Sequence, residues 1–586
     1  MPNKSCQTAA GIAFPRQATK GHVKIVGLNA RFTHSCLALF YVRNELEKYC
    51  PELSSEICQF TINDNYYEVV VRLSAGKPKY IFFSAAIWNS ILVERLTCDL
   101  RTCLPECRVV IGGPQAAVLG DRLGNETCTV VVGEIEAVGE SFYQDLLQGS
   151  LCPRYTGRFF KTANRTFTYP YRASDFAGPL RNRHIYYESS RGCPFSCSYC
   201  LSATEKGLYH KEPGVVETEL RDILRHRPKV VRFIDRTFND LPDRALAIWR
   251  FLTAEGGESL FHFEMAPDRF TEEMFEFLAT VPHSRFQFEL GIQSTNPETL
   301  AAVHRRMDPA EAHRTVRRLA EFGNIHLHVD LILGLPFETR ESFARSFRDV
   351  FAMGAHYIQM GLLKILPDTP ICHGAEEYGY RHSGEPPYAV FANRWLDHEA
   401  LSDLYWFSEC VEKFVNNRYF VSLWQYLRRN GEDAFDFFCR LLHLCRERGF
   451  FQLAATQELM CSLLAELAAS RSDRRLLVEL LRYDWLRCGF RFLPECLAVE
   501  EPDAQPERLR SALYQSLPEK LEGVYSRANR NHFFRKSFFL RVSKESLAEL
   551  DLPAESEKSC GSSEPTLCIL ADREHSLYGF NKVVFF

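Results

Sequence analysis

The stretch SSRGCPFSCSYCLS, residues 189–202, brings Cys193, Cys197 and Cys200 onto one short segment, and no further cysteine follows until Cys372. Three thiols are one ligand short of a structural zinc site, which closes with four Cys or His side chains. His184 and His210 are the nearest imidazoles, and neither stands at a zinc-finger spacing. A disulfide would leave one thiol over, and thiols in a reducing compartment stay reduced. What remains is an iron–sulfur cluster, which ordinarily takes four thiolates. With three, one iron keeps an open position where a small molecule can bind.

The CxxxCxxC spacing, with the aromatic Tyr199 just before the last cysteine, resembles the radical S-adenosylmethionine (radical SAM) superfamily. The resemblance implies a 4Fe-4S cluster on Cys193, Cys197 and Cys200 whose open iron chelates the amino and carboxylate groups of SAM. An electron from the cluster then cleaves SAM to methionine and a 5′-deoxyadenosyl radical. The cofactor carries the hard chemistry, and the protein orients it.

Of the 586 residues, 46% are hydrophobic and 25% charged, with a net charge of −4. That is a globular balance with room for several domains and without the polybasic signature of nucleic-acid binding. The opening MPNKSCQTAAGIAFPRQATKG has no apolar core, and no later window of about 18 residues is apolar and uncharged. A cytoplasmic chain with no membrane span and a disordered N-terminus over 1–20 is expected. Most of the 21 cysteines are scattered, as at Cys36, Cys128 and Cys439, and read as buried small hydrophobes.

Upstream of the cysteines, strand-like runs (HVKIVGL, KYIFFSA, CRVVIGG, CTVVVG) alternate with helical patterns such as Leu39, Val42 and Leu46. Near-continuous apolar strands suit a parallel sheet covered on both faces, here a flavodoxin-like layer over 21–152. Ligands of such sheets lie outside the carboxyl ends of the strands, which points to Asn29–His34, Ser84–Asn89 and Gly112–Gly113. No GxGxxG follows the first strand, which argues against a Rossmann-type nucleotide binder. A layer of this kind ahead of a radical SAM triad resembles the cobalamin-binding domain of cobalamin-dependent radical SAM enzymes. Ser84 matches that family's small residue after the third strand, Gly112 and Gly113 its paired glycines, and Gly133, Glu134 and Glu136 its GE-E segment. The cobalt-ligating DxHxxG is missing: His34 has Phe32 and Leu37 where Asp and Gly would stand. The resemblance therefore implies a cobalt without a histidine from this loop, with Trp88 a candidate to cover its face.

Residues 153–180 show no periodicity and read as a linker. From 181 to 400, six strand candidates (HIYYESS, KVVRFID, LFHFEMA, RFQFELGIQ, IHLHVDLILG, YIQMGLLKI) alternate with helical patterns, the signature of a partial (β/α)6 TIM-type barrel. Side chains alternate between faces of a strand, so Phe286, Phe288 and Leu290 oppose Gln287, Glu289 and Gln293, and Leu327 and Val329 oppose His326, His328 and Asp330. Phe261 and Phe263 likewise oppose His262 and Glu264. A polar barrel interior either pairs with itself or binds a polar ligand such as SAM. By resemblance to family motifs, FIDRTFN makes Asp235 a candidate near the SAM methionine moiety, ELGIQS does the same for Glu289, Gln293 and Ser294, and DLILGLPFET brings in Asp330 and the Gly334–Pro336 turn.

Residues 401–545 read as helical, from Phe420, Leu423, Trp424 and Leu427 and from Phe438, Leu441, Leu442 and Cys445. They are similar to an uncharacterised C-terminal domain on one branch of the same enzymes. A linker and tail over 546–586 contain LPAESEKSCGSSEPT and a candidate last strand, NKVVFF. The fold class expected is α/β with a mainly helical C-terminal domain. The function implied by resemblance is methylation of an unactivated carbon of a small molecule or peptide, using cobalamin, SAM and an electron donor such as flavodoxin or ferredoxin. A radical rearrangement, a tRNA methylthiotransferase-like activity and a corrinoid or iron–sulfur sensor are the alternatives.

Overall fold

The computed structural model describes residues 21–162, 167–204, 206–498, 506–515, 530–550, 566–570 and 582–585. The N-terminus over 1–20 and most of the linker expected at 552–566 lie outside the described residues. The chain divides into two compact units, residues 1–264 with 364–374 and 382–389, and residues 265–363 with 375–381 and 390–586.

The first unit opens with β1 (His22–Asn29), α1 (Ala38–Tyr49), β2 (Ser54–Thr61), α2 (Tyr66–Ser74), β3 (Tyr80–Ser84), α3 (Ser90–Cys103), β4 (Arg108–Gly112), α4 (Ala116–Leu123), β5 (Thr129–Gly133), α5 (Glu140–Gln148) and β6 (Arg154–Gly157). The sheet runs β2-β1-β3-β4-β5-β6, every pairing parallel. Strand order reverses at β1/β3, which opens a crevice at their carboxyl ends. The central strands are buried almost throughout because helices cover both faces. Two strands were not legible as runs. β2 is an edge strand with polar, half-exposed residues, and β6 is an edge strand of four residues. β6 and the helix Ala173–Ala177 fall inside the stretch read as a linker. That stretch is tied to the sheet layer by Arg43, whose guanidinium donates to Asp175 Oδ1 at 2.5 Å, to Asp175 Oδ2 at 2.9 Å and to Pro170 O at 2.9 Å. Burial of that pair turns a spacer into packed structure.

The same unit holds the parallel strands Ile185–Tyr187, Val230–Phe233 and Leu260–Met265, the last two flanking the helix Pro242–Glu255. The second unit holds a further parallel set, Phe286–Gln293, His326–Leu333 and Tyr357–Leu362, connected by the helices Pro309–Phe322 and Arg340–Ala352. In the first two strands of this set, buried and half-buried residues alternate strictly, so the apolar and polar faces fall where the alternation places them. A helical array follows: His398–Phe414, Val421–Arg429, Ala434–Glu447, Gln457–Ala468 and Arg474–Arg487. The end of the chain adds Ser537–Arg541, Thr566–Leu570 and Lys582–Phe585 as an antiparallel sheet, the last being the strand expected at NKVVFF. Among the described residues no helix is long and apolar enough to cross a membrane.

One buried pair anchors the helical array. Asp484 accepts from Arg487 Nε at 2.7 Å and from the Ser422 and Leu423 amides at 3.0–3.2 Å, so it caps one helix from another while neutralising a guanidinium. Removing the carboxylate strands Arg487 in the core, which costs about 3–5 kcal/mol. Asp484→Ala should therefore lower the denaturant midpoint of the C-terminal transition by an amount matching that loss, followed by circular dichroism.

Candidate functional site

The loop after the strand Ile185–Tyr187 carries the three cysteines, and two buried braces hold its base. Asp235 is fully buried. Its carboxylate accepts from the Ser189 amide at 3.1 Å, the Ser189 hydroxyl at 2.6 Å and the Ser190 hydroxyl at 2.5 Å. Burial pushes its pKa up, and the two serines and Arg244 work against that rise. Arg244 donates to Ser189 O at 2.8 Å and to Ser189 Oγ at 2.9 Å. Asp235 thus fixes the approach to Cys193, a role the sequence could not separate from contact with a ligand. The second brace is Arg191, which donates to both Glu188 oxygens at 2.7 and 2.8 Å and to Glu136 at 3.1 Å. Its guanidinium also lies 4.3 Å from the Phe167 ring centroid and 4.7 Å from that of Phe159.

Beyond the braces, Cys193 Sγ sits 3.6 Å from Thr237 Oγ1, and burial raises its pKa against the opposing hydrogen bonds of the Phe195 backbone and the Thr237 hydroxyl. Cys197 and Cys200 are joined by a backbone hydrogen bond, and the Ser198 carbonyl accepts from the Ile371 amide at 3.0 Å. Among the described residues no three His, Cys, Asp or Glu side chains converge as a single metal ion requires. A mononuclear site gathers its donors within about 2–2.3 Å of one atom, whereas a cluster places its own iron and sulfur atoms between the thiolates.

At the carboxyl ends of the first sheet lies a cavity of about 260 Å³, near the lower end of the range of small-molecule pockets, roughly 300–1,000 Å³. Ser84, Gly112, Gly113, Gly133, Glu134 and Glu136 line it, joined by Leu37, Tyr41, Phe83, Glu188 and Arg191. Two glycines are required by close approach: a Cβ on Gly113 would stand 2.6 Å from Ala85 O, and one on Gly133 1.9 Å from Gly157 O, both at positive φ. Gly112 differs, since a Cβ there would meet no side chain and would only narrow the space. Trp88 does not line this cavity. It is 56% exposed, and its indole donates to Leu28 O at 3.2 Å. Asn89, the end of the Ser84–Asn89 loop to which the sequence pointed, joins the β1 and β3 ends by donating to Leu28 O at 3.0 Å and Ser84 O at 3.1 Å. His34 Nδ1 lies 2.5 Å from the Tyr186 hydroxyl, and burial keeps its pKa below the usual histidine value.

In the second unit, Glu289 and Asp330 stand half-buried on the polar faces of adjacent strands, with Gly291 opposite Asp330 in the register. The register shifts between Gly291 and Gln293, and Gln293 takes a positive φ of 70° with its amide folded back over Gly291. Lower on the same faces Gln287 Nε2, His328 Nε2 and His326 Nδ1 form a chain at 2.8 and 3.0 Å, which is the self-pairing outcome. Ser294 is fully buried and 3.3 Å from Ser346. The centre of that group is Glu338, which the sequence reading passed over because its partners come from distant positions. It accepts from Ser342 at 3.1 Å and Ser346 at 3.5 Å. Desolvation pushes its carboxyl up to about 7, against the pull of the Ser294, Ser342 and Ser346 hydroxyls.

Residues 187–350 match the family described as the radical SAM superfamily, and residues 376–550 match a family described only as a protein of unknown function, DUF4080. The cobalamin-dependent radical SAM methyltransferase TokK of Streptomyces tokunonensis is 27% identical over 344 residues, 52% of this chain and 50% of TokK. This chain spans about half the length of the curated relatives it matches. Among solved structures, the cobalamin-dependent SAM radical enzyme OxsB with aqua-cobalamin bound aligns over 79% of this chain and 80% of its own, at 14% identity and a TM-score of 0.53. The radical SAM methyltransferase TsrM from Kitasatospora setae, with cobalamin and a 4Fe-4S cluster bound, aligns over 63% and 78%, at 16% identity and a TM-score of 0.51. These two likenesses are of fold alone.

Glu338 yields a pH dependence whose sign is fixed. Its pKa is about 7 in the folded chain against an ordinary 4.5, so its contribution is full below about pH 4.5 and is lost as pH rises through 7. The loss between about pH 5 and pH 8 is about 3 kcal/mol. Glu338→Gln should flatten that slope, measured by denaturant unfolding at both pH values.

Proposed function

We propose that this chain is a cobalamin-dependent radical SAM enzyme that methylates an unactivated carbon of a small molecule or peptide. The observation that carries the reading is that Glu188 and Arg191, which flank the cysteine loop, line the same cavity as Ser84, Gly112, Gly113 and Glu134. The segment that leads into the cysteines thus forms part of the wall of the sheet-end crevice, within one unit.

The residues present fit the groups this function needs. Cys193, Cys197 and Cys200 would hold the cluster, on a loop whose base is fixed by Asp235 and Arg191. By resemblance to family motifs, Glu289, Gln293 and Asp330 of the second unit are the candidates to meet SAM. The glycine-lined cavity would take part of cobalamin. When bound, the cluster supplies the electron that splits SAM, and cobalamin supplies a transferable methyl group. The chain's own contribution is rigidity and dryness: the loop's carboxylates are already paired, so they do not compete for the ligand. His34 is engaged with Tyr186, which supports a cobalt without a ligand from this loop. An electron donor of the flavodoxin or ferredoxin kind completes the cycle.

A crossed pair of variants tests the reading. Anaerobically reconstituted protein should carry iron, sulfide and cobalamin and, with strong reductant, release 5′-deoxyadenosine from SAM. Replacing Cys193, Cys197 and Cys200 by Ala should abolish iron and deoxyadenosine while leaving cobalamin bound. Gly112→Val should do the reverse, weakening cobalamin retention at least tenfold with iron content unchanged. Iron retained in the triple variant would refute the cluster assignment, and undiminished cobalamin in Gly112→Val would refute the cavity's role.

A further inference from the structure

Three parallel strands of the first unit bring one row of polar side chains into register: Tyr186 is opposite Arg232, and Arg232 is opposite His262. The residues on either side of the row, Ile185, Tyr187, Val231, Phe233, Phe261 and Phe263, are buried and apolar and face the other way. Two imidazoles join the row. His34 reaches Tyr186 at 2.5 Å, and its ring centroid lies 5.5 Å from that of His184. Both are held in place by backbone: the His184 amide donates to Thr33 O at 2.6 Å, the Ser35 hydroxyl donates to His184 O at 2.9 Å, and Arg183 donates to His34 O at 2.8 Å.

The row's charge is not balanced. Arg232 is half-buried, and its hydrogen-bond partner is the His262 Nε2 at 3.1 Å. Among the described residues no Asp or Glu oxygen lies within ion-pair distance of its guanidinium. The carboxylate one step further along the strand, Glu264, lies 4.0 Å from Arg236 instead. The neighbours are neutral: desolvation, helped by Arg232, keeps His34 low and takes His184 down to about 4. His184 Nδ1 is buried with no hydrogen-bond partner. A guanidinium out of bulk water, ringed by neutral donors, lacks the anion that would repay its desolvation. Arg presents its N–H groups as a planar fork that matches carboxylate or phosphate oxygens. His34, His184, Tyr186 and Arg232 are each only half-buried, so a ligand can reach them.

We propose that Arg232, with Tyr186, His184, His34 and His262 around it, binds an anionic group, a carboxylate or phosphate, of the substrate. This deepens the methyltransferase reading by naming a property of the substrate, and it rests on that reading for the word substrate alone. The site binds an anion whether or not the chain loads cobalamin.

The test uses the full chain and small anions. Inorganic phosphate, pyrophosphate and propionate are titrated calorimetrically into wild type, Arg232→Gln and Arg232→Lys. At least one anion should bind wild type, Arg232→Gln should weaken it tenfold or more, and Arg232→Lys should retain most of the affinity. Histidine-labelled protein gives a second readout: anion binding should raise the His184 pKa in wild type and leave it unmoved in Arg232→Gln. Equal anion binding by wild type and Arg232→Gln, or none by either, overturns the site. The phosphodiester of cobalamin and the carboxylate of SAM are the other sources of the same chemistry. If Arg232→Gln weakens cobalamin but not cobinamide, which lacks that phosphodiester, or weakens SAM, the anion belongs to the cofactor and the substrate assignment falls. Failure of wild type to load cobalamin, with anion binding intact, would count against the methyltransferase reading and not against the site.

Discussion

A single guanidinium joins the cysteine loop to the first sheet. Arg191 stands two residues before Cys193, yet its partners are Glu136 from beyond the fifth strand of the first sheet and Glu188 from the base of its own loop. Burial works against its charge, but the Glu188 and Glu136 carboxylates outweigh burial and hold its pKa above the ordinary arginine value. Tyr41, whose hydroxyl donates to Glu188 at 3.1 Å, closes the arrangement from α1. A pairing of this kind contributes little net stability compared with an apolar substitute, because desolvation offsets most of the attraction. Its value is geometric. Every partner comes from a different segment, so the cysteine loop and the sheet-end cavity can hold only one relation to each other.

That constraint explains the division of labour among the acidic residues. Asp235 and Glu338 are both buried and both tied to serines, but they differ in position. Asp235 takes three donors from the segment leading into the cysteines, including a backbone amide, and so fixes a backbone path. Glu338 faces hydroxyls that rotate, and one of its oxygens has no hydrogen-bond partner, which is why desolvation prevails and its pKa rises to about 7. Glu289 and Asp330, on the polar strand faces, keep partial exposure.

The sequence was informative wherever the signal was local. The triad is a spacing, and the strand faces are an alternation of period two, so both could be read directly; Phe286, Phe288 and Leu290 are buried, and Gln287, Glu289 and Gln293 are half-buried, as the pattern requires. The carboxyl-end loops of the first sheet were legible for the same reason, since the order of apolar runs and glycines fixes where strands end. Edge strands were not, because β2 and β6 pair on one side and need no continuous apolar run. Nor was the state of each polar residue. Ser294 meets Ser346, and Asp235 meets Ser189 and Ser190, across separations of about 45–52 residues. No window of sequence contains both members of such a pair. The sequence could propose that a barrel interior is polar, but only the fold shows which of those residues pair with one another and which brace a loop.

The helical segment that follows the strands has a physical reason to be there, whatever else it does. Tyr357–Leu362 ends its sheet, and an open strand edge presents unpaired amides and carbonyls to any passing chain. A closed barrel has no such edge; an incomplete one must cover it. Asn416, just past the helix His398–Phe414, does so with one side chain: its Oδ1 accepts from the Ile358 amide and its Nδ2 donates to the Ile358 carbonyl, both at 2.9 Å. The amide copies the two hydrogen bonds that a neighbouring strand would make. Glu412, on the same helix, accepts from the Tyr357 hydroxyl at 2.9 and 3.0 Å and anchors Asn416 through its amide. At Ile358 the edge is thus met by a side chain at the end of a helix rather than by another strand, which denies that stretch to another chain.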